Sequence, residues 1–123
     1  MRQRKVKNEG QRLAAMEKYM VGSREEWEEK KERDNPGKIY LELGCGRGHF
    51  LVDLAKEDPT SLFIGVEGRS SIVLRALERI DQEAPENAVC IPVYITSVED
   101  WFSPGDLDGI YLNFSDPWPK ARH

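Results

Sequence analysis

The sequence predicts an α/β fold in which a parallel sheet is covered by helices on both faces. Three observations carry this reading. From Lys38 onward, short apolar runs alternate with stretches of helical periodicity. A glycine-rich turn, Gly44-Cys45-Gly46-Arg47-Gly48, joins the first run to the first helix after it. Acidic residues recur at the ends of the apolar runs, at Glu42, Glu67 and Asp116, where open parallel sheets hold their ligands.

Taken in chain order, residues 1–37 read as a basic arm and a short helix appended to a domain over 38–123. Arg2, Arg4, Lys5 and Lys7 make the arm. Ser23 with Glu26 is a capping-box pattern, which places a charged helix over roughly 23–33 around Trp27. "DNPGK" ends it. "KIYLEL" (38–43) reads as a buried strand and "HFLVDLAKED" as a helix stopped by Pro59. "SLFIGVE" (61–67) is a second strand. "SSIVLRALERIDQEA" is a helix with a serine start and apolar positions at Val73, Leu77 and Ile80. "AVCIPVYI" (88–95) is a third strand, and Pro92 sends it to a sheet edge because proline donates no ladder bond. "SVEDWF" is a turn of helix, and "IYLNF" (110–114) is a fourth strand.

Composition narrows the class. The chain has 123 residues, 39% of them apolar, enough for one domain with a modest core. No run of eighteen apolar residues exists to span a membrane. No apolar run follows the basic start, so it is not a secretory signal. A cytoplasmic location is expected. Cys45 and Cys90 lie far apart in sequence and in different contexts. Reduced thiols are expected of them, and neither has a zinc-site spacing. The net charge of −4 argues against a nucleic-acid binder as a whole. The basic arm, and a second basic end at Lys120, Arg122 and His123, either bind a polyanion locally or are solvated tails.

The alternating glycines Gly44, Gly46 and Gly48 suit close approach of a ligand to the backbone, and the N-terminus of a helix follows them. A dinucleotide loop needs GxGxxG, but the spacing here is GxGxG. Glu42 in the preceding strand end would oppose a pyrophosphate. It suits a cation instead, and S-adenosylmethionine has an ammonium and a sulfonium with no phosphate. Glu67 is placed to accept a pair of ribose hydroxyls, which either cofactor offers. Cys45 reads as a small neutral filler and His49 as a surface or capping residue. Asp116 sits in "SDPWPK", where Pro117 and Pro119 fix the backbone around it. Trp118 either stacks on a base or packs beneath the loop.

"LNFSDPWPKARH" resembles the signature of the bacterial-type tRNA (guanine-N7-)-methyltransferases. "YLELGCGRGHFL" and "FIGVEGRSSIVLRAL" are similar to that family's cofactor half in order and spacing, and "MRQRKVKN" to its usual start. The resemblance covers essentially the whole chain. It implies a Rossmann-like class I S-adenosylmethionine-dependent methyltransferase fold, here incomplete, with about four parallel strands in the order 3-2-1-4. It implies S-adenosylmethionine as cofactor, bound by Glu42, Gly44, Gly46, Gly48, Glu67, Tyr94 and Asp116. Asp116 would be the catalytic carboxylate, with tRNA met by Lys120 and Arg122. Tyr94 departs from the family, which usually has an acidic residue there near the adenine. Guanine N7 carries a lone pair and no proton. Its methylation needs chiefly alignment and a carboxylate near the purine.

The same resemblance implies that the chain is the cofactor-binding half of a longer domain, with the C-terminal part absent and activity weak or lost. The fourth strand would then be an open apolar edge, a place for self-association. Two other functions stay open: a methyltransferase for another substrate, and a non-catalytic nucleotide-binding half-domain.

Overall fold

The structure, a computed structural model, describes residues 7–112. Four parallel strands form one sheet: β1 (Ile39–Leu43), β2 (Leu62–Val66), β3 (Ala88–Ile91) and β4 (Gly109–Leu112). Their order is β3-β2-β1-β4, as expected from the resemblance. Residues 113 and 114, expected to extend the fourth strand, lie outside the described residues.

Side-chain alternation along each strand sorts the core into two layers. Phe63, Ala88 and Cys90 face helices α3 (His49–Glu57) and α4 (Ser70–Glu83), which bury Leu51, Val52, Ala55, Val73, Ala76, Leu77 and Ile80 against them. Ile39, Leu41, Leu62, Ile64, Val66, Val89 and Ile91 face the other way. Both crossover helices lie on one face because right-handed connections step from β1 to β2 to β3 in one direction.

The second face is closed by the N-terminal segment, and here the structure departs from the reading of 1–37 as an appendage. Helix α2 (Arg24–Asp34) delivers Trp27, 1% exposed, into the layer with Val21 and Phe102. The Trp27 and Phe102 rings meet edge to face at 5.2 Å. A lone indole in a helix of charged residues has to bury somewhere, and the sheet face is the apolar surface within reach. Helix α1 (Glu9–Ala15), which no cap signal announced, packs on α4. Between them the chain touches the outer side of β3: Val21 N–H donates to the Cys90 carbonyl at 2.8 Å, and Met20 bridges Cys90. The edge strand is thereby covered over part of its length.

Caps and stops follow local chemistry. Ser23 Oγ accepts the Glu26 N–H at 3.1 Å, as the capping box requires, but the Glu26 carboxylate reaches back to the N–H of Gly22, at 2.7 Å. Asn35 adopts a left-handed conformation and ends α2. The serines at the start of α4 do not supply its cap: Arg69 holds that position, and Ser70 Oγ donates to Glu9 of α1. The third strand stops at Ile91 rather than running on to residue 95, because Pro92 has no N–H to continue the ladder.

Candidate functional site

Among the described residues, the candidates Glu42, Gly44, Gly46, Gly48, Glu67 and Tyr94 lie at or beyond the carboxyl ends of the strands. Glu42 lies in β1, one residue from its end, and is 1% exposed. Glu67 follows β2 directly and is 4% exposed. Burial of two carboxylates this deep is costly unless donors or cations meet them. Both lie close enough to Cys45 for their charges to act on its thiol.

The glycine loop is pinned at its start by β2. Gly44 and Cys45 N–H both donate to the Val66 carbonyl at 2.9 Å. Gly44, Gly46 and Gly48 all have positive φ, at 71°, 58° and 85°. At Gly48 the requirement is double. A side chain would be strained at that φ, and its Cβ would stand 3.0 Å from the Ala76 backbone of α4. At Gly46 the space above the backbone is open: an added Cβ meets nothing within 4 Å.

Glu67 ties the two strand ends together. Its Oε1 accepts the Gly46 N–H at 3.2 Å, so the carboxylate stands against the middle of the loop. Arg69, which the sequence reading passed over, grips the same carboxylate. Its backbone N–H, Nε and Nη2 reach Glu67 at 3.1, 2.8 and 3.2 Å. An arginine two residues beyond a strand-end carboxylate was the available signal.

Tyr94 stands beyond β3, at the crevice, and is 71% exposed. Its ring lies on the backbone of Gly68: a Cβ there would be 2.3 Å from Tyr94 Cγ. The ring thus occupies the volume that a side chain at 68 would need, next to Glu67. Asp116, Lys120 and Arg122 lie outside the described residues, as does Trp118. His49 is exposed on the first turn of α3, with Nε2 3.0 Å from Arg79 Nη2.

Cys45 and Cys90, far apart in sequence, come together beneath the loop. Both are free and buried in one core cluster, and Cys45 Sγ donates to the Gly46 carbonyl at 3.8 Å. The neighbouring Cys90 thiol, burial and the charges of Glu42 and Glu67 hold the Cys45 thiol well above its ordinary range. A thiol so held is a poor nucleophile, which agrees with a filler role.

A family profile described as "Putative methyltransferase" matches residues 36–123. The chain belongs to this methyltransferase family. Relatives called tRNA (guanine-N(7)-)-methyltransferase are similar to it. That of Lachnoclostridium phytofermentans is 42% identical over 97 residues, covering 79% of this chain and 44% of the relative. That of Geobacillus sp. is 35% identical, covering 92% of this chain and 52% of the relative. That of Streptococcus suis is 35% identical over the whole chain and 59% of its own length. The chain spans about half the length of the curated relatives it matches. The fold is shared with solved methyltransferases. An antibiotic-related one aligns at a TM-score of 0.56 and 22% identity, over 80% of this chain and 49% of its own. A phosphoethanolamine N-methyltransferase of Haemonchus contortus, solved with S-adenosylhomocysteine, aligns at 0.51 and 19%, over 84% of this chain and 21% of its own. Among the described residues, no helix is long and apolar enough to cross a membrane.

Proposed function

We propose that this chain is the cofactor-binding part of a tRNA (guanine-N7-)-methyltransferase that uses S-adenosylmethionine. The observation that carries the reading is the pair of buried carboxylates, Glu42 and Glu67, on either side of an open glycine loop. The residues present fit the cofactor: Glu42 and Glu67 are acidic and the space over Gly46 is free. When bound, the cofactor supplies a sulfonium methyl, whose bond to sulfur breaks as the guanine N7 lone pair forms the new carbon–nitrogen bond.

The chain's own residues hold and orient. Glu67 accepts the ribose hydroxyls, with Arg69 and the Gly46 N–H fixing the carboxylate. Glu42 offsets the positive charge of the donor. Tyr94, seated on Gly68, presents its ring to the adenine in place of an acidic side chain. Asp116 is assigned the carboxylate nearest the purine, and Lys120 and Arg122 the tRNA contacts. These three assignments rest on the resemblance of the "SDPWPK" stretch. The names of the similar proteins support tRNA as substrate and, with it, a cytoplasmic location. β4 stands last in the described sheet with Ile110 and Leu112 exposed, which supports self-association there.

Calorimetry with S-adenosylhomocysteine and with NAD tests the cofactor. Binding of the first alone is expected, and preference for NAD would overturn the reading. Transfer of labelled methyl groups to unmodified tRNA, with N7 as the product position, tests the substrate.

A further inference from the structure

One charged surface plays no part in that site. It flanks the glycine loop on the helical face, in a concavity of about 610 Å³ lined by Arg47, His49, Arg75, Glu78, Arg79 and Asp81. Arg47 stands exposed in the glycine loop, and Arg75 and Arg79 are borne by α4. The two elements are locked together. Gly48 abuts Ala76 of α4, and Arg79 Nε donates to the Arg47 carbonyl at 3.3 Å.

The acids in the concavity are already engaged. Arg12 grips Glu78 through two bonds, at 2.8 and 2.6 Å, and Tyr19 donates to Asp81 at 2.7 Å. Arg79 pairs with Glu83 at 3.2 Å. Among the described residues, Arg47 and Arg75 make no ion pair. In a chain of net charge −4, two unmatched guanidinium groups beside a third are a local exception. Guanidinium groups match phosphate oxygens in geometry as well as charge.

We propose that Arg47, Arg75 and Arg79 form a phosphate-binding surface that seats the tRNA backbone beside the glycine loop. This deepens the reading above and rests on tRNA as substrate. The groups belong to two elements, the glycine loop and α4, and line one open concavity. Three cations carried on two elements suit a run of backbone phosphates better than a single free anion. Arg79 Nη2 can only donate, so His49 Nε2 accepts there and helps to hold that side chain in place.

The test is tRNA binding by the full chain, followed by fluorescence anisotropy across a salt series. The variants are Arg47→Ala/Arg75→Ala and Arg47→Lys/Arg75→Lys, with S-adenosylhomocysteine calorimetry as a check of fold and pocket. The alanine pair is expected to weaken tRNA binding on the order of tenfold and to lower the salt slope by about two. The lysine pair should keep most of the affinity, and cofactor-product binding should be unchanged in both. Wild-type affinity and slope in the alanine pair would overturn this surface and leave the substrate reading intact. An equal loss in the lysine pair would overturn the charge-based role. Binding of poly-glutamate as tight as that of tRNA would overturn the assignment to nucleic acid. No tRNA binding by the wild type, with the cofactor product still bound, would overturn the substrate reading and this inference with it.

Discussion

The Glu67 carboxylate accepts the N–H of Gly46 at 3.2 Å, joining the end of β2 to the middle of the glycine loop. One buried group therefore sets the loop's position and is proposed to receive the cofactor ribose. Arg69 holds it from the other side. Replacement by glutamine keeps the size and one acceptor but removes the charge.

Glu67→Gln is accordingly expected to weaken S-adenosylhomocysteine binding by about 2 kcal/mol, roughly thirtyfold, the scale of a hydrogen bond to a charged group. Calorimetry on the two proteins checks this. Equal affinities would mean that Glu67 serves only the loop.

Gly68→Ala tests the seat of Tyr94. The new methyl would lie 2.3 Å from Tyr94 Cγ, so the ring must leave. Tyr94 is 71% exposed and can swing into water. Thermal stability should then change by less than about 1 kcal/mol, as for a surface change. Affinity for the cofactor product should fall severalfold, because the platform is lost. A variant with lowered stability and full affinity would contradict the role given to the ring.

The sheet was legible in the residues because its strands are short apolar runs with punctuation between them. Pro92 announced the edge position of β3 and, in the structure, also ends the strand. What escaped was set by contacts distant in sequence. Helix α1 buries none of its residues fully and lacks a side-chain cap, so no periodic stripe marked it. Trp27 reads as one aromatic in a charged helix, and its destination on the second sheet face depends on the whole fold. The meeting of Cys45 and Cys90 follows from strand register: Gly65 is the register partner of Cys90, and its missing side chain leaves room for Cys45. In the site, Glu42, Glu67 and the glycines could be placed from strand ends alone. Arg69 was signalled only by its spacing from Glu67, and its grip on that carboxylate appears once the chain folds back.

The buried thiols predict chemical inertness. The neighbouring Cys90 thiol, burial and nearby carboxylate charge all raise the Cys45 thiol. In the folded protein at about pH 8, near the ordinary thiol range, iodoacetamide should leave Cys45 unmodified, and unfolding should expose it. The sign for stability follows. A pKa raised by folding contributes stability that is complete below the unfolded thiol's value and is lost as pH rises beyond it. Melting temperature should therefore fall on the alkaline side. Mass spectrometry showing rapid labelling of native Cys45 would refute the burial argument.

Asp106 ties the N-terminal helix to the loop before β4. Lys31 Nζ, Trp27 Nε1 and the Ser103 N–H donate to its carboxylate at 2.5, 3.2 and 2.8 Å. Burial works against ionisation here, but the bonds from Lys31, Ser103 and Trp27 outweigh it and hold the carboxyl below its ordinary range. A carboxyl lowered by folding contributes stability above the unfolded group's pKa, lost as pH falls through the folded one. The loss belongs to the acid side, from the ordinary carboxylate range downward. Asp106→Asn keeps an acceptor but no charge, so its melting temperature should depend less on pH in that window. Asp106→Ala orphans the buried indole N–H as well. It is expected to cost about 2 kcal/mol, less than a fully buried pair because the Lys31 side chain is 46% exposed. Circular-dichroism melts of the three proteins across the acid range decide the point. Parallel curves for wild type and Asp106→Asn would show that the acid sensitivity lies with other carboxylates. The lowered Asp34, Asp58 and Glu83 would then be the next to test.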